Sequence, residues 1–87
     1  MEIIESWEDH NANIYVIVRH SKKDQQAYRV KEYEAMWMVD NELISFGGAV
    51  GYRIADFDTI EEAQEYLLKG ITLVDTNPDI FLEMVEV

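Results

Sequence analysis

The stretch "DFDTIEEAQEYLLKG", residues 56–70, constrains the fold most, because its pattern is typical of a single amphipathic helix. Thr59, followed three residues later by Glu62, forms a capping box, in which the two side chains satisfy unpaired backbone N–H groups at a helix start. Apolar residues recur at helical spacing at Ile60, Ala63, Tyr66 and Leu67. Gly70 stands where a left-handed C-terminal cap is expected, so the sequence predicts a helix over residues 59–69.

The first half of the chain predicts strands. Residues 13–20, "NIYVIVRH", are rich in β-branched and aromatic residues, as expected for a strand buried on one or both faces. The polar residues 21–26 predict a turn. Residues 27–39 fit a long strand that pairs with the first one. A helix is the alternative for that segment, since Ser21 and Asp24 form a weak helix start signal.

The second half of the chain completes a sheet around the helix. The turn formers at 40–41 are followed, over residues 42–57, by a short strand, a glycine-rich connection and a second strand. Residues 71–79 predict a turn, and residues 80–87 alternate as a final strand does. Residues 1–87 are therefore predicted to form a single α+β domain, a mainly antiparallel sheet of four to five strands with the helix packed on it.

The charge of the chain is large and unevenly distributed. Eighteen acidic residues against seven basic ones give a net charge of −11. Residues 13–31 nevertheless carry five basic residues and one acidic residue, whereas residues 54–87 carry nine acidic residues and one lysine. Such a charge argues against direct binding to nucleic acid or to an anionic membrane, and it favours a basic protein as partner.

The composition also indicates where the protein works. The chain contains no cysteine, which suits a reducing compartment. It has no apolar run near the roughly 20 residues that a membrane span needs. The N-terminus, "MEIIESWEDH", is acidic where a secretory signal is basic. We therefore expect a cytoplasmic protein.

Two segments have a superficial likeness to ligand loops. The glycines at residues 47–51 invite comparison with a phosphate loop, but a strand rather than a helix is predicted to follow them, so a strand connection is favoured. The segment from Asp75 to Glu86 begins like a calcium loop and has the right spacing. Ile80 replaces the required glycine and Pro78 interrupts the pattern, so a turn before a strand is favoured.

The sequence contains no motif of catalytic or metal-binding residues. His10 and His20 are the only imidazoles, and without cysteine they do not make up a zinc site. No serine stands in a nucleophile motif, and no pair of carboxylates is distinguished from the rest. We therefore expect no enzyme activity, no catalytic residue, no metal and no cofactor.

Two functions remain. The carboxylates on and just before the predicted helix lie opposite its apolar positions, which makes them candidate partner-binding residues: Asp56, Asp58, Glu61, Glu62 and Glu65. In size and composition alone, the chain is similar to small acidic phage and mobile-element proteins that block restriction or CRISPR nucleases by occupying a basic nucleic-acid-binding surface. The alternative is a structural or accessory domain that forms homo-oligomers through its sheet edges, with a charge that serves solubility.

Overall fold

The computed structural model describes residues 1–46 and 54–76, which form an antiparallel sheet with a long helix on one face. In chain order the elements are β1 (Glu2–Glu8), β2 (Ile14–Arg19), α1 (Lys22–Tyr28), β3 (Tyr33–Val39), β4 (Glu42–Ser45), β5 (Asp56–Phe57) and α2 (Ile60–Thr76). The strand order is β1-β2-β3-β4, and β5 pairs with the opposite end of β3 from β4. The predicted α+β class is therefore confirmed.

The main core lies between the sheet and α2. Side chains of β2 and β3 that point to this face meet the buried face of the helix, and the cluster consists of Tyr15, Ile17, Ala35, Trp37, Phe46, Ala55, Ala63 and Leu67. The rings of Trp37 and Phe46 lie closest, with centroids 3.8 Å apart. Each large side chain buried in this way contributes about 1.5–3 kcal/mol through the hydrophobic effect. The helix face predicted to pack inward is confirmed at Ala63 and Leu67, whereas Ile60 is only half-buried.

The opposite face of the sheet carries a second buried cluster. It is formed by Val16, Val18 and Met36, with Ile14 and Leu43 packed against it. Strand β2 is therefore buried on both faces, as its unbroken apolar run at residues 14–18 predicts.

The polar segment after β2 is helical, so the prediction of a turn there is wrong. Ser21 caps α1 by accepting a hydrogen bond from the backbone N–H of Asp24 at 3.1 Å. Arg29 ends the helix in the left-handed conformation, with φ of 55°. This helix has caps but no apolar periodicity. The Ser21 start signal is therefore the only feature of the sequence that predicts it. β3 consequently begins at Tyr33, later than the predicted strand, but it pairs with β2 as expected.

Helix α2 is longer than its sequence predicts. It continues through Gly70 to Thr76, so both the predicted C-terminal cap and the turn predicted for residues 71–76 are wrong. Gly70 instead leaves room for a neighbouring ring, because a Cβ atom at this position would lie 2.9 Å from Cζ of Phe46. The missing side chain lets the helix approach the sheet closely.

An edge strand that the sequence did not predict completes the sheet. β1 pairs with β2, and a bulge between Ile3 and Glu5 interrupts its register. The bulge lets Ile4 pack against the main core while Glu5 accepts a hydrogen bond from Gln64 of α2 at 2.8 Å. The glycine-rich connection at 47–51, the start of the strand predicted to follow it and the strand predicted over 80–87 lie outside the described residues.

Candidate functional site

Four of the five predicted partner-binding carboxylates form one exposed surface, which we call the acidic face: Asp58, Glu61, Glu62 and Glu65. Asp58 lies in the turn before α2, and the three glutamates lie in the first two turns of the helix. Residues three and four positions apart are neighbours on a helix surface, so the glutamates share one side. The other side is fixed by the buried Ala63 and Leu67.

The fifth carboxylate, Asp56, has a structural contact. It is half-buried in β5, and its Oδ2 accepts a hydrogen bond from the backbone N–H of Lys31 at 2.8 Å. This bond ties β5 to the loop that leads into β3. The structure thus separates Asp56 from the four exposed carboxylates.

The start of α2 is held by a side-chain cap. The backbone N–H of Glu62 donates to Oγ1 of Thr59 at 3.3 Å, so the predicted cap is confirmed. The return contact differs from a capping box, because Oε1 of Glu62 accepts from the Thr59 hydroxyl at 3.0 Å rather than from its backbone N–H. The negative charge of Glu61 and Glu62 in the first turn also complements the helix dipole.

Two lysines border the acidic face. Nζ of Lys31 lies 3.7 Å from Oδ2 of Asp58, and Nζ of Lys69 lies 3.4 Å from Oε1 of Glu65. All four side chains are more than half exposed. Exposed ion pairs of this kind contribute roughly 0–1 kcal/mol, so neither carboxylate is locked to its lysine. A partner that offers arginine or lysine can displace both contacts at little cost.

The acidic face concentrates negative charge over a short length. Glu61, Glu62 and Glu65 lie within about 6 Å along the axis of α2, at about 1.5 Å per residue, and Asp58 lies in the turn just before them. Displacement of Lys31 and Lys69 by a partner would restore the full charge of the face.

A buried polar pair lies on the opposite side of the sheet. Nε2 of His20 is 2.8 Å from Oε1 of Glu34, and both side chains are at least nine-tenths buried. Nδ1 of His20 has no hydrogen-bond partner among residues 1–46 and 54–76. An Nε2–H tautomer donates to the carboxylate and leaves Nδ1 as an acceptor.

A second carboxylate that sequence reasoning missed organises the turn between β1 and β2. Asp9 accepts four hydrogen bonds, two from backbone N–H groups and two from side chains, at 2.8 to 2.9 Å: from Asn11 N, Asn13 N, Asn13 Nδ2 and Tyr15 Oη. Burial alone would raise the pKa of Asp9, but these hydrogen bonds outweigh it and lower the pKa below its ordinary value. The clustered Asp and Asn residues of this turn are the only signal in the sequence.

The two histidines weighed as metal ligands lie at opposite ends of β2. His10 lies exposed in the first hairpin turn, whereas His20 is buried beyond β2. Among the described residues there is no group of three or more His, Asp or Glu side chains suited to holding a metal ion. The candidate calcium segment from Asp75 to Glu86 starts in the last turn of α2 and, like the glycines at 47–51, otherwise lies outside the described residues.

A shallow groove of about 540 Å³ runs between the end of β2 and α1. Charged and polar side chains of both signs line it, among them Arg19, Lys22, Gln25 and Glu32. Arg19 and Glu32 pair across it at 2.8 Å. Because it is open and lined by polar and charged side chains, the groove does not provide the enclosed apolar cavity that small ligands prefer.

Comparison with protein-family models, curated proteins and solved structures finds no match to this chain. In the described part of the chain, neither helix has the length and apolar character needed to cross a bilayer. The hypotheses about function therefore depend on the geometry and charge of the chain itself.

Proposed function

We propose that this chain is a small, non-catalytic protein-binding module that uses its acidic face to occupy a basic surface on a larger protein. The larger protein is a cytoplasmic nucleic-acid-binding enzyme. The basic surface is the one on which that enzyme holds DNA or RNA. A phage or mobile-element inhibitor of a host defence nuclease has the corresponding size, charge and composition.

The observation that carries the proposal is the exposure of four carboxylates on a helix that is fixed from both sides. The Thr59 cap holds the start of α2, and the burial of Ala63 and Leu67 holds its inner face against the sheet. A preorganised surface loses little conformational entropy on binding, which favours affinity. The backbone positions that carry these charges are therefore set before the partner arrives.

Binding of this kind works by electrostatic competition. The net charge of −11 steers the protein toward a basic cleft and raises the association rate at low salt. Arginine and lysine side chains that ordinarily contact phosphates would then form charge-assisted hydrogen bonds to Glu61 and Glu65. Nucleic acid is excluded from the cleft because the same cations serve both ligands.

The β1 edge is poorly suited to the alternative, oligomers formed through sheet edges. β1 is an edge strand within the described sheet, and it carries a bulge together with Glu2, Glu5 and Glu8. Bulges and charged side chains are the devices by which natural sheets prevent edge-to-edge pairing.

The proposal is tested by reversing charges in matched pairs. Glu61→Lys with Glu65→Lys changes the acidic face, whereas Glu8→Lys with Glu42→Lys changes two exposed glutamates at the other end of the sheet. Each pair removes two negative charges and adds two positive ones, which brings the net charge from −11 to −7. Only the first pair should abolish capture of the partner from a host lysate.

The captured partner is then purified and tested in an electrophoretic competition assay with its nucleic acid. We expect the wild-type protein to displace the nucleic acid and the Glu61 and Glu65 variant to fail. Simultaneous, independent binding of protein and nucleic acid to the partner would show that mimicry is wrong. Equal loss in both variants would show that only net charge matters.

A further inference from the structure

Strand β1 presents a tryptophan on the face of the sheet that α2 covers. From Glu5 to Glu8 the pairing of β1 with β2 is regular, so Glu5 and Trp7 point to the same side. Their partners on β2 are Ile17 and Tyr15, which both belong to the main core beneath α2. Cross-strand partners share one face of a sheet. Trp7 therefore points to the helix side, yet it stays 36% exposed.

A side-chain contact fixes where α2 passes this strand. Nε2 of Gln64 lies 2.8 and 3.0 Å from the two carboxylate oxygens of Glu5. Leu68 follows Gln64 by four residues, which places it about one turn, or about 6 Å, further along the same side of the helix. Trp7 follows Glu5 by two residues, about 7 Å further along the strand. Leu68 and Trp7 are thus displaced by similar distances from the two ends of one hydrogen-bonded contact.

The packing of the helix shows that both displacements point the same way. Gly70 lies against the ring of Phe46, and that ring lies 3.8 Å from the ring of Trp37. Trp37 stands in the same cross-strand row as Trp7, with one residue of β2 between them. Helix α2 therefore runs toward the row that contains Trp7. This direction brings Leu68 beside Trp7, and we call these two residues the apolar pair.

The apolar pair borders the acidic face. Leu68 is 64% exposed, and Glu65 and Glu61 precede it by three and seven positions on the helix. These spacings place residues on one side of a helix. A single exposed apolar side chain is ordinary on a protein surface, whereas neighbouring large ones with a polar rim are typical of an interaction site.

We propose that the apolar pair anchors the partner that binds the acidic face, so the partner offers an apolar side chain flanked by arginine or lysine. This inference rests on the proposed function, because it concerns the same partner. The cations meet Glu61 and Glu65, while the apolar side chain of the partner packs on Trp7 and Leu68. Tryptophan is among the residues that most often dominate the binding energy of an interface.

Charge and apolar contact have different roles in such a complex. Exposed charges set the association rate and its dependence on salt, and they are screened beyond about 8 Å at physiological ionic strength. Apolar contacts act mainly on the dissociation rate and are not screened. Nucleic acid offers its phosphates alone to the same cations. The apolar pair therefore gives the protein a contact that nucleic acid lacks when the two compete.

Two synthetic helical peptides serve as defined probes of the full chain. One carries lysine on one face and leucine on the other, and the second has alanine in place of every leucine, so their charges are identical. We expect the wild type to bind the leucine peptide at least about tenfold more tightly at about 0.15 M salt. Leu68→Ser should abolish this preference and leave the affinity for the alanine peptide unchanged. Fluorescence anisotropy of the labelled peptides measures both affinities.

Two further variants make the test specific. Trp7→Ser should also abolish the preference, in protein that circular dichroism shows to be folded. Ile3→Ser is the matched control. Ile3 is 47% exposed on the same strand, but it pairs with Val18 of the second cluster and so points to the opposite face of the sheet. This variant should keep the preference of the wild type.

The outcomes separate this inference from the proposed function. Equal affinity of the wild type for both peptides overturns the inference, and the proposed function stands if Glu61→Lys with Glu65→Lys weakens binding of both. If that charge reversal has no effect, the proposed function fails and the inference fails with it. Dimerisation of the wild type that Leu68→Ser abolishes, measured by sedimentation equilibrium, would assign the apolar pair to a second copy of the chain and overturn the inference.

Discussion

At the scale of single residues, Asp9 is the carboxylate whose charge the fold uses most directly. Because its hydrogen bonds lower its pKa in the folded state, its stabilising effect is present above the ordinary value of about 3.9 and is lost as the pH falls through the folded value. Asp9→Asn replaces one acceptor oxygen by a donor that faces other donors, so it should cost about 1–3 kcal/mol at neutral pH. Urea unfolding at neutral and acidic pH measures this.

The pH dependence distinguishes a charge effect from a packing effect. The stability gap between the wild type and Asp9→Asn should narrow below about pH 4, as the wild-type carboxylate becomes protonated. Asp40→Asn, an exposed carboxylate in the other hairpin turn, is the matched control and should change stability by less than about 0.5 kcal/mol. A gap for Asp9→Asn that is the same at every pH would contradict the assignment.

The His20–Glu34 pair makes a second prediction at this scale. His20→Ala leaves the Glu34 carboxylate buried without its partner and should cost about 3–5 kcal/mol. His20→Leu combined with Glu34→Leu removes both polar groups and should be clearly more stable than the single variant. Thermal unfolding of the two proteins measures the difference. Equal melting temperatures would show that the pair contributes nothing as a pair.

At the scale of elements, Gly70 shows how the helix and the sheet fit together. Alanine is favoured over glycine inside a helix by about 1 kcal/mol, but here its Cβ would meet the buried ring of Phe46. Overpacking typically costs about 1–3 kcal/mol, so Gly70→Ala should lower the melting temperature. With Phe46→Leu already present, the same substitution should become neutral or stabilising. A stabilising Gly70→Ala in the wild type would show that the ring yields easily.

In the turn between β3 and β4, two substitutions of one residue should change the stability in opposite directions. Asp40 and Asn41 both have positive φ, 51° and 65°, as in the type I′ turn of a two-residue hairpin. Glycine adopts this conformation without strain, so Asn41→Gly should stabilise the protein by a few tenths of a kcal/mol to about 1 kcal/mol. Asn41→Ala should destabilise it by a similar amount. Chemical denaturation compares both variants with the wild type, and changes of the same sign would contradict the assignment.

Local signals made some elements predictable, and distant contacts made others unpredictable. The start of α2 depends on Thr59 and on helical spacing within a few residues, so the sequence predicts it and also predicts that Glu61 and Glu65 are exposed. The end of α2 depends on Phe46, far away in the chain, so Gly70 is misleading on its own. Likewise, the contact of Asp56 with Lys31 exists only once β5 pairs with β3. The bulge at Ile4 interrupts the alternation of apolar and polar residues in β1, so the sequence pattern does not predict this strand.

At the scale of the whole molecule, charge is distributed unevenly along the chain while the total remains strongly negative. Residues 13–31 carry five of the seven basic residues, whereas residues 54–87 carry nine acidic residues and one lysine. Uneven charge of this kind favours contact with a basic partner, because local attraction survives where the overall field is screened. The same total charge opposes folding through self-repulsion.

This self-repulsion gives the last prediction. Raising the ionic strength from about 0.01 M to about 0.15 M shortens the Debye length from roughly 30 Å to roughly 8 Å, which screens the carboxylates from one another. The described ion pairs are mostly exposed and contribute little, so relief of repulsion should prevail. The melting temperature should rise by several degrees, since about 1 kcal/mol corresponds to roughly 4–8 °C in a domain of this size. Glu8→Lys with Glu42→Lys lowers the net charge from −11 to −7 and should show a smaller rise. A melting temperature that falls with salt would mean that the surface ion pairs outweigh the repulsion.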